Sequence, residues 1–161
     1  MAAGSTYTPI ATTTLGSAQS SVTLSSIPST YTDLIVVIAG SNSTSEGAFR
    51  FYCNTDTSSN YSWTQLYGDG SSAASNRGSS DTKMTLGRQA TTQSTSVIQF
   101  MNYANTTTYK TAIGRGSPTT IVTANVGLWR STAAINQLVV SNEGGNIASG
   151  TTFTLYGIAS A

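Results

Sequence analysis

The stretch Asp33–Gly40, which reads D-L-I-V-V-I-A-G, decides the fold. Its centre, Leu34–Ile38, is an unbroken apolar run in which most residues are β-branched. Such side chains pack well on a pleated surface, and the run is too short to cross a membrane. A buried helix segment could also give this run, but the β-branched content and the Gly and Ser that follow favour a strand. The stretch therefore predicts a central strand buried on both faces.

The composition points to an uncharged protein of one domain. The chain has 161 residues, of which 8% are charged against a usual share of about 25%. We predict a flexible arm over residues 1–6 and a single β-sandwich domain over residues 7–161. The net charge of +1 gives no basic stripe for nucleic acid and no polybasic patch for a membrane, so we expect neither partner. Residues 1–4 show no secretory leader, so we expect no export by a signal peptide.

Short alternating segments, separated by turn residues, fill the rest of the chain. No window has the apolar spacing of a helix over three turns, and the segments suggest about eight to eleven short strands. This pattern predicts an all-β, jelly-roll-like antiparallel β-sandwich. Pro9 predicts that the first strand starts or edges a sheet, because proline cannot donate to a β-ladder. Residues 71–81 are rich in Ser, Ala, Asn and Gly and are predicted to form a long surface loop.

The residues that most enzyme chemistry requires are missing. The chain has no histidine and one cysteine, Cys53, which excludes His-based triads and His- or thiolate-ligated metal sites. We predict that the protein is not an enzyme, with no catalytic, metal or cofactor-binding residue and no cofactor. The carboxylates lie mostly in turn-rich loops, where Asp bonds to its own backbone. A pair of catalytic carboxylates and a calcium site near Asp56 are the alternatives.

An aromatic face is the most distinctive constellation in the sequence. Tyr61, Trp63 and Tyr67 alternate along one predicted strand and share one side of it. Such a face packs in the core, anchors a protein interface or stacks on sugar rings. Core packing is favoured, and the interface and the glycan site stay open.

Several longer stretches carry a family resemblance. They are Y-T-P-I-A-T-T-T-L-G-S (Tyr7–Ser17), S-S-I-P-S-T-Y-T-D-L (Ser25–Leu34), N-Y-S-W-T-Q-L-Y-G-D-G-S-S-A (Asn60–Ala73), M-N-Y-A-N-T-T-T-Y-K-T (Met101–Thr111) and A-S-G-T-T-F-T-L-Y-G-I (Ala148–Ile158). Together they resemble small virion structural proteins of tailed bacteriophages, particularly phages of aquatic hosts such as cyanobacteria. The resemblance implies a jelly-roll-like sandwich that assembles as a homotrimer and sits on the particle as a capsid decoration (cement) protein, a head fibre or a tail part.

The lack of a shaft or coiled-coil segment favours the cement role, in which the protein binds and stabilises the assembled capsid shell. The expected partners are further copies of itself and the major capsid protein or other virion proteins, and the expected location is the virion surface after synthesis in the host cytoplasm. The alternative is a tail or head-fibre module that recognises a host surface glycan. The candidate interface residues are Tyr7, Pro9, Ile10, Tyr61, Trp63, Tyr67 and Asp69. The glycan alternative requires an exposed Trp63 or Tyr67 beside a loop carboxylate such as Asp69.

Overall fold

The computed structural model describes residues 6–159, which form twelve β-strands and no helix. They are β1 (Tyr7–Thr14), β2 (Ser21–Leu24), β3 (Asp33–Gly40), β4 (Gly47–Cys53), β5 (Tyr61–Gly68), β6 (Ala73–Asp81), β7 (Met84–Gln89), β8 (Ser94–Met101), β9 (Lys110–Gly116), β10 (Val122–Trp129), β11 (Leu138–Asn142) and β12 (Thr152–Ile158). The all-β prediction is confirmed, and the number of strands slightly exceeds the expected range.

Two antiparallel sheets face each other across the core. The large sheet has the order β1-β12-β3-β8-β9-β10-β5-β6, and the small sheet has the order β2-β11-β4-β7. The strands β1 to β4, β7, β8, β11 and β12 divide between the sheets in the alternating order of a jelly roll. The strands β9, β10, β5 and β6 extend the large sheet beyond that unit. The predicted jelly-roll-like sandwich is thus confirmed.

The strand that decides the fold lies inside the large sheet, between β12 and β8. Leu34, Val36 and Ile38 point into the core and have no exposed surface. On the opposite side Ile35 is 8% exposed and Val37 is half-buried. The prediction of burial on both faces therefore holds for the inner side, whereas the outer side is only partly covered.

Aromatic side chains from both sheets fill the core. Phe49, Phe51 and Cys53 alternate along β4 and all point inward with no exposed surface, as their spacing predicts. Phe51 meets Phe100 of the large sheet with ring centroids 5.8 Å apart, which joins the two layers. Burial raises the pKa of the Cys53 thiol well above its ordinary value, so this cysteine is a small core residue rather than a reactive group.

The predicted loop over residues 71–81 is wrong. Ala73–Asp81 forms β6, which pairs with β5 from Gly68 opposite Ala73 to Tyr61 opposite Asp81 and ends the large sheet. Almost all of its side chains are exposed, so neither face imposes an apolar alternation. The strand is held by backbone hydrogen bonds to β5, and the pattern of side chains in the sequence gives no sign of these bonds.

Small residues on the inner side of β9 and β10 let β7 cross them closely. A Cβ atom at Gly127 would lie 2.7 Å from Met84 Sδ, and one at Gly116 would lie 3.0 Å from the backbone nitrogen of Arg88. These positions therefore exclude larger side chains. Ile113 of β9 and Val122 and Val126 of β10 lie instead at the alternate positions, which point away from the small sheet.

The predicted flexible arm, residues 1–6, lies outside the described residues except for Thr6. The carbonyl oxygen of Thr6 accepts a hydrogen bond from the Ala159 nitrogen at 3.3 Å. Within residues 6–159 no helix has the length and apolar character needed to span a bilayer.

Candidate interaction surface

Exposed apolar side chains collect on the outer face, which we define as the side of the large sheet that points away from the small sheet. Among the described residues seven large apolar side chains are exposed: Tyr7, Leu66, Met101, Tyr109, Ile113, Val122 and Val126. Six of them belong to strands of the large sheet, and Tyr109 directly precedes β9. Soluble monomers seldom expose a large contiguous apolar patch without a function for it.

The strand register places two of these side chains, Val126 and Ile113, next to each other in a row that crosses the sheet. Val126 of β10 lies opposite Ile113 of β9, which lies opposite Gln99 of β8. The same row continues through Ile35 of β3 to Tyr156 of β12. Residues paired in this way point to the same side of the sheet, so the row crosses the outer face from its middle toward β1.

The outer face is concave. A cavity of about 340 Å³ is lined by Tyr7, Ile35, Val97, Gln99, Ile113, Gly114, Arg115 and Ala124. Tyr7 on β1 and Ala124 on β10 are separated by four strands, and both reach this cavity because the sheet curves. We call this cavity the groove. Wider depressions of about 690 Å³ beside Leu66 and Val122 and about 400 Å³ beside Arg115 and Val122 adjoin it.

Charges on the strands of the outer face are few. They are Asp33, Arg77 and Arg115. The Asp33 carboxylate is engaged, because it accepts hydrogen bonds from Gln99 Nε2 at 2.9 Å and from the Asn102 nitrogen at 2.8 Å. Arg115 is exposed on β9 and has no hydrogen bond or ion pair with any of the described residues. The groove therefore combines an aliphatic floor with one unpaired cation.

The first strand supplies two of the predicted interface residues. Tyr7 is 53% exposed, and its ring meets that of Tyr156 edge-to-face at 6.3 Å. Pro9 is also exposed and lies opposite Tyr156, so both Tyr7 and Pro9 lie on the outer face at the edge of the sheet. Ile10 does not, because it alternates with Pro9 along the strand and packs against the core. As an interface residue Ile10 is a wrong prediction.

Tyr61 belongs to the core and is also wrong as an interface residue. It has no exposed surface, and its ring stacks on Trp129 at 6.2 Å. Its hydroxyl donates a hydrogen bond to the Asp56 carbonyl oxygen at 2.9 Å. Burial raises the pKa of Tyr61 above its ordinary value. The favoured interpretation of the aromatic face as core packing is correct at this position.

Trp63 is half-buried and fully engaged. Its Nε1 donates to Asp81 Oδ2 at 3.0 Å, and the Arg50 guanidinium lies 5.7 Å from the centre of its ring. Partial burial alone would raise the pKa of Asp81, but the hydrogen bonds from Trp63 and Thr82 and the charge of Arg50 hold it below its ordinary value. The indole is thus a structural contact between β5, β6 and β4.

Tyr67 and Asp69 do not form the site that the glycan alternative requires. Tyr67 is half-buried on the inner side of β5. The exposed Asp69 carboxylate accepts hydrogen bonds from the backbone nitrogens of Ser71 at 2.9 Å and Ser72 at 2.7 Å, which lower its pKa. Asp69 therefore closes its own turn, and the carboxylate beside Trp63 is Asp81.

Apart from Tyr7 and Pro9, the residues that form the outer face were not predicted from the sequence. In Val122–Trp129 the apolar Val122, Ala124 and Val126 point outward, whereas Thr123, Asn125 and Gly127 point inward in line with Trp129. The alternation of side chains along this strand is visible in the sequence. When both alternate sets contain apolar and polar residues, however, alternation does not predict which set faces the core. Arg115 had no distinguishing signal in the sequence.

Comparisons with known proteins identify no family. No family model matches the chain, and no curated protein matches it. Among solved structures it is similar to an exo-inulinase from Aspergillus awamori (16% identity, TM-score 0.46, covering 94% of this chain and 29% of the inulinase). It is also similar to a galectin from Caenorhabditis elegans (10% identity, TM-score 0.38, covering 92% of this chain and 96% of the galectin). The chain thus spans less than a third of the inulinase, and similarities at these TM-scores say nothing about its function.

Proposed function

We propose that this chain is a structural protein of a bacteriophage particle that decorates the capsid shell and stabilises it. The observation that carries the proposal is the concave, apolar and weakly charged outer face of the large sheet. The sequence resemblance to virion proteins of tailed phages is the reason for proposing a phage particle as the location. The partners are then the major capsid protein or neighbouring virion proteins, and the location is the virion surface.

The outer face is large enough for a specific association. Eight strands about 4.8 Å apart and about seven residues long give a projected area of about 900 Å². Specific complexes bury about 800 Å² on each partner. The exposed apolar side chains of β9, β10 and β5 extend from the middle of this area toward the edge at β6. Of these, Ile113 on β9 lies nearest the centre, where the energetically important contacts of an interface concentrate.

The opposite side of the sandwich suits contact with water. On the outer side of the small sheet Arg50 forms ion pairs with Asp81 and Glu143, and Arg88 pairs with Glu46 at its margin. A protein with one apolar and one polar face is oriented by its chemistry when it lies on a shell. The polar side would remain in solvent while the outer face binds.

Stabilisation then follows from mass action. A ligand that binds the assembled shell, and not its separated subunits, stabilises the shell by RT ln(1 + [L]/Kd). At a free concentration of about 100 times Kd, this amounts to about 2.7 kcal/mol for each site. No chemical step is needed, in keeping with the prediction that the protein is not an enzyme. The homotrimer implied by the resemblance stays a prediction.

The alternative of a receptor-binding module for a host glycan has less support. It required an exposed Trp63 or Tyr67 beside a loop carboxylate such as Asp69, but both rings are half-buried, and the Trp63 indole donates its hydrogen bond to Asp81. In residues 6–159 no three side chains of the His, Cys, Asp and Glu types lie close enough to hold a metal ion that could orient a sugar. The cement role needs only contact area, which the outer face provides.

The decisive experiment is an averaged cryo-EM map of the intact particle with this chain traced into the density. Density at regular lattice positions, with the outer face against the shell, is the expected result. Density confined to the tail, with the capsid bare, would contradict the proposal.

A binding assay with undecorated shells tests the outer face directly. Val126→Lys should reduce the occupancy of the shell. Thr23→Lys on the exposed side of β2 is the matched control and should leave the occupancy unchanged.

A further inference from the structure

The groove contains a feature that an apolar docking surface alone does not explain, the unpaired cation of Arg115. The side chain lies on β9 between the cavity of about 340 Å³ and the depression of about 400 Å³, and it lines both. The other charge nearby, Asp33, is held by Gln99 and Asn102. Arg115 is therefore available to a partner.

A partner that covered the groove with neutral apolar groups alone would remove water from the guanidinium without replacing the lost hydrogen bonds. Removing a charge from water without pairing it is strongly unfavourable. Arginine presents a planar fork of donors that matches a carboxylate in two parallel hydrogen bonds. The occupant that fits the groove must therefore bring an anion to Arg115.

The rest of the lining indicates what surrounds that anion. Ile35, Val97, Ile113 and Ala124 form an aliphatic floor, and Tyr7 is the one aromatic side chain in the lining. Its ring already contacts Tyr156. Sugars need convergent polar groups and a free aromatic face, whereas aliphatic side chains fit this floor.

We propose that the groove binds an extended peptide segment in which apolar side chains flank one Asp or Glu, and that Arg115 pairs with that carboxylate. The inference deepens the proposed function and rests on it only in taking the capsid shell as the source of the segment. The volume of the groove lies within the usual range for ligand clefts.

The test is selection from a random-peptide display library against the purified full chain. Peptides with an acidic residue between apolar residues should be enriched. Arg115→Glu should abolish this enrichment or replace the acidic residue by a basic one. Arg77→Glu is the matched control, since it makes the same charge change on an exposed position of β6 outside the groove, and it should leave the selection unchanged.

Calorimetry on one selected synthetic peptide makes the test quantitative. Replacing its acidic residue by the corresponding amide, or Arg115 by Gln, should each weaken binding about 30-fold or more, since one partner of a covered charge pair is removed. Both changes together should weaken binding little more than either alone. Thermal unfolding of each protein variant should match that of the wild type, because Arg115 makes no hydrogen bond or ion pair with the residues that the structure describes.

Several outcomes would overturn the inference. They are the absence of enriched peptides, acidic peptides that bind Arg115→Glu as well as wild type, and binding of an oligouronate through Arg115 without binding of peptides. Failure of the proposed function can be distinguished from failure of this inference about the groove. A chain found on the tail that still selects acidic peptides through Arg115 would refute the cement role alone, whereas a decorated capsid with full occupancy by Arg115→Glu would refute the groove alone.

Discussion

At the scale of single residues, one carboxylate ties together the end of the molecule where β5 and β10 meet. Asp56 Oδ2 accepts hydrogen bonds from Trp129 Nε1 at 2.7 Å and Asn60 Nδ2 at 3.1 Å. Asp56 Oδ1 accepts one from the Ser58 nitrogen at 2.9 Å. The sequence interpretation of this carboxylate as a turn former is right but incomplete, because the Trp129 indole joins it from a distant strand.

The ionisation of Asp56 leads to a prediction about pH. Burial opposes ionisation, but the hydrogen bonds from Trp129, Asn60 and Ser58 outweigh it and lower the pKa of Asp56 from 3.8 to about 2. Because the unfolded carboxyl binds its proton at higher pH, the stabilisation is complete above about pH 5 and is lost as the pH falls toward 2. We expect Asp56→Asn to lower the free energy of unfolding by about 1–2 kcal/mol at neutral pH.

Urea unfolding of wild type and Asp56→Asn at neutral pH and near pH 3 is the measurement. The difference between the two proteins should shrink at the lower pH. A difference that is the same at both values would show that the variant acts through packing or local geometry rather than through the charge.

At the scale of elements, Arg50 joins strands that the sheet pairing alone does not hold together. From β4 its guanidinium binds Asp81 Oδ2 of β6 at 2.6 Å, pairs with Glu143 beyond β11 and covers the Trp63 ring of β5. The side chain is 15% exposed. This cluster fastens the far end of the large sheet onto the small sheet.

The cluster predicts that Arg50→Lys is not a conservative change. A lysine ammonium cannot bridge two carboxylates and also stack on an indole. We expect a loss of about 1–2 kcal/mol in the free energy of unfolding. Arg88→Lys is the control, because Arg88 pairs with Glu46 alone and is more exposed, and it should cost less than about 0.5 kcal/mol. Equal losses in chemical denaturation would show that the cluster has no special role.

At the scale of the whole molecule, the distribution of charge matters more than its sum. The chain carries a net charge of +1 and has a pI near 7.8, so electrostatic repulsion between copies is weak at neutral pH. The ion pairs are on the side of the small sheet, whereas the outer face presents mainly apolar and hydroxyl groups. A protein of this kind remains dispersed most easily when its outer face is covered.

This asymmetry predicts that one lysine on the outer face has a greater effect than one lysine elsewhere. We expect Val126→Lys to raise solubility at neutral pH and to reduce self-association in sedimentation velocity, since Val126 is 54% exposed in the middle of the apolar patch. Thr23→Lys adds the same charge on the opposite side and should do neither. The free energy of unfolding should change by less than about 0.5 kcal/mol in both. Equal gains in solubility would assign the effect to net charge alone.

The sequence by itself determined the all-β class, the central strand Asp33–Gly40, the inward set on β4 and the burial of Cys53. These follow from local alternation and β-branched content, which a single strand records in its own residues. The formation of β6, in contrast, required pairing with the neighbouring strand β5, which local patterns do not contain.

The outer face was decided by the tertiary structure alone. Val122, Val126 and Ile113 point outward because β7 crosses the glycines on the other side of β9 and β10 and leaves no room there for larger side chains. Tyr7 and Ala124 line one groove because the sheet curves across the strands between them. Alternation fixes which residues share a side of a strand, but the packing of a second layer decides which side becomes the core.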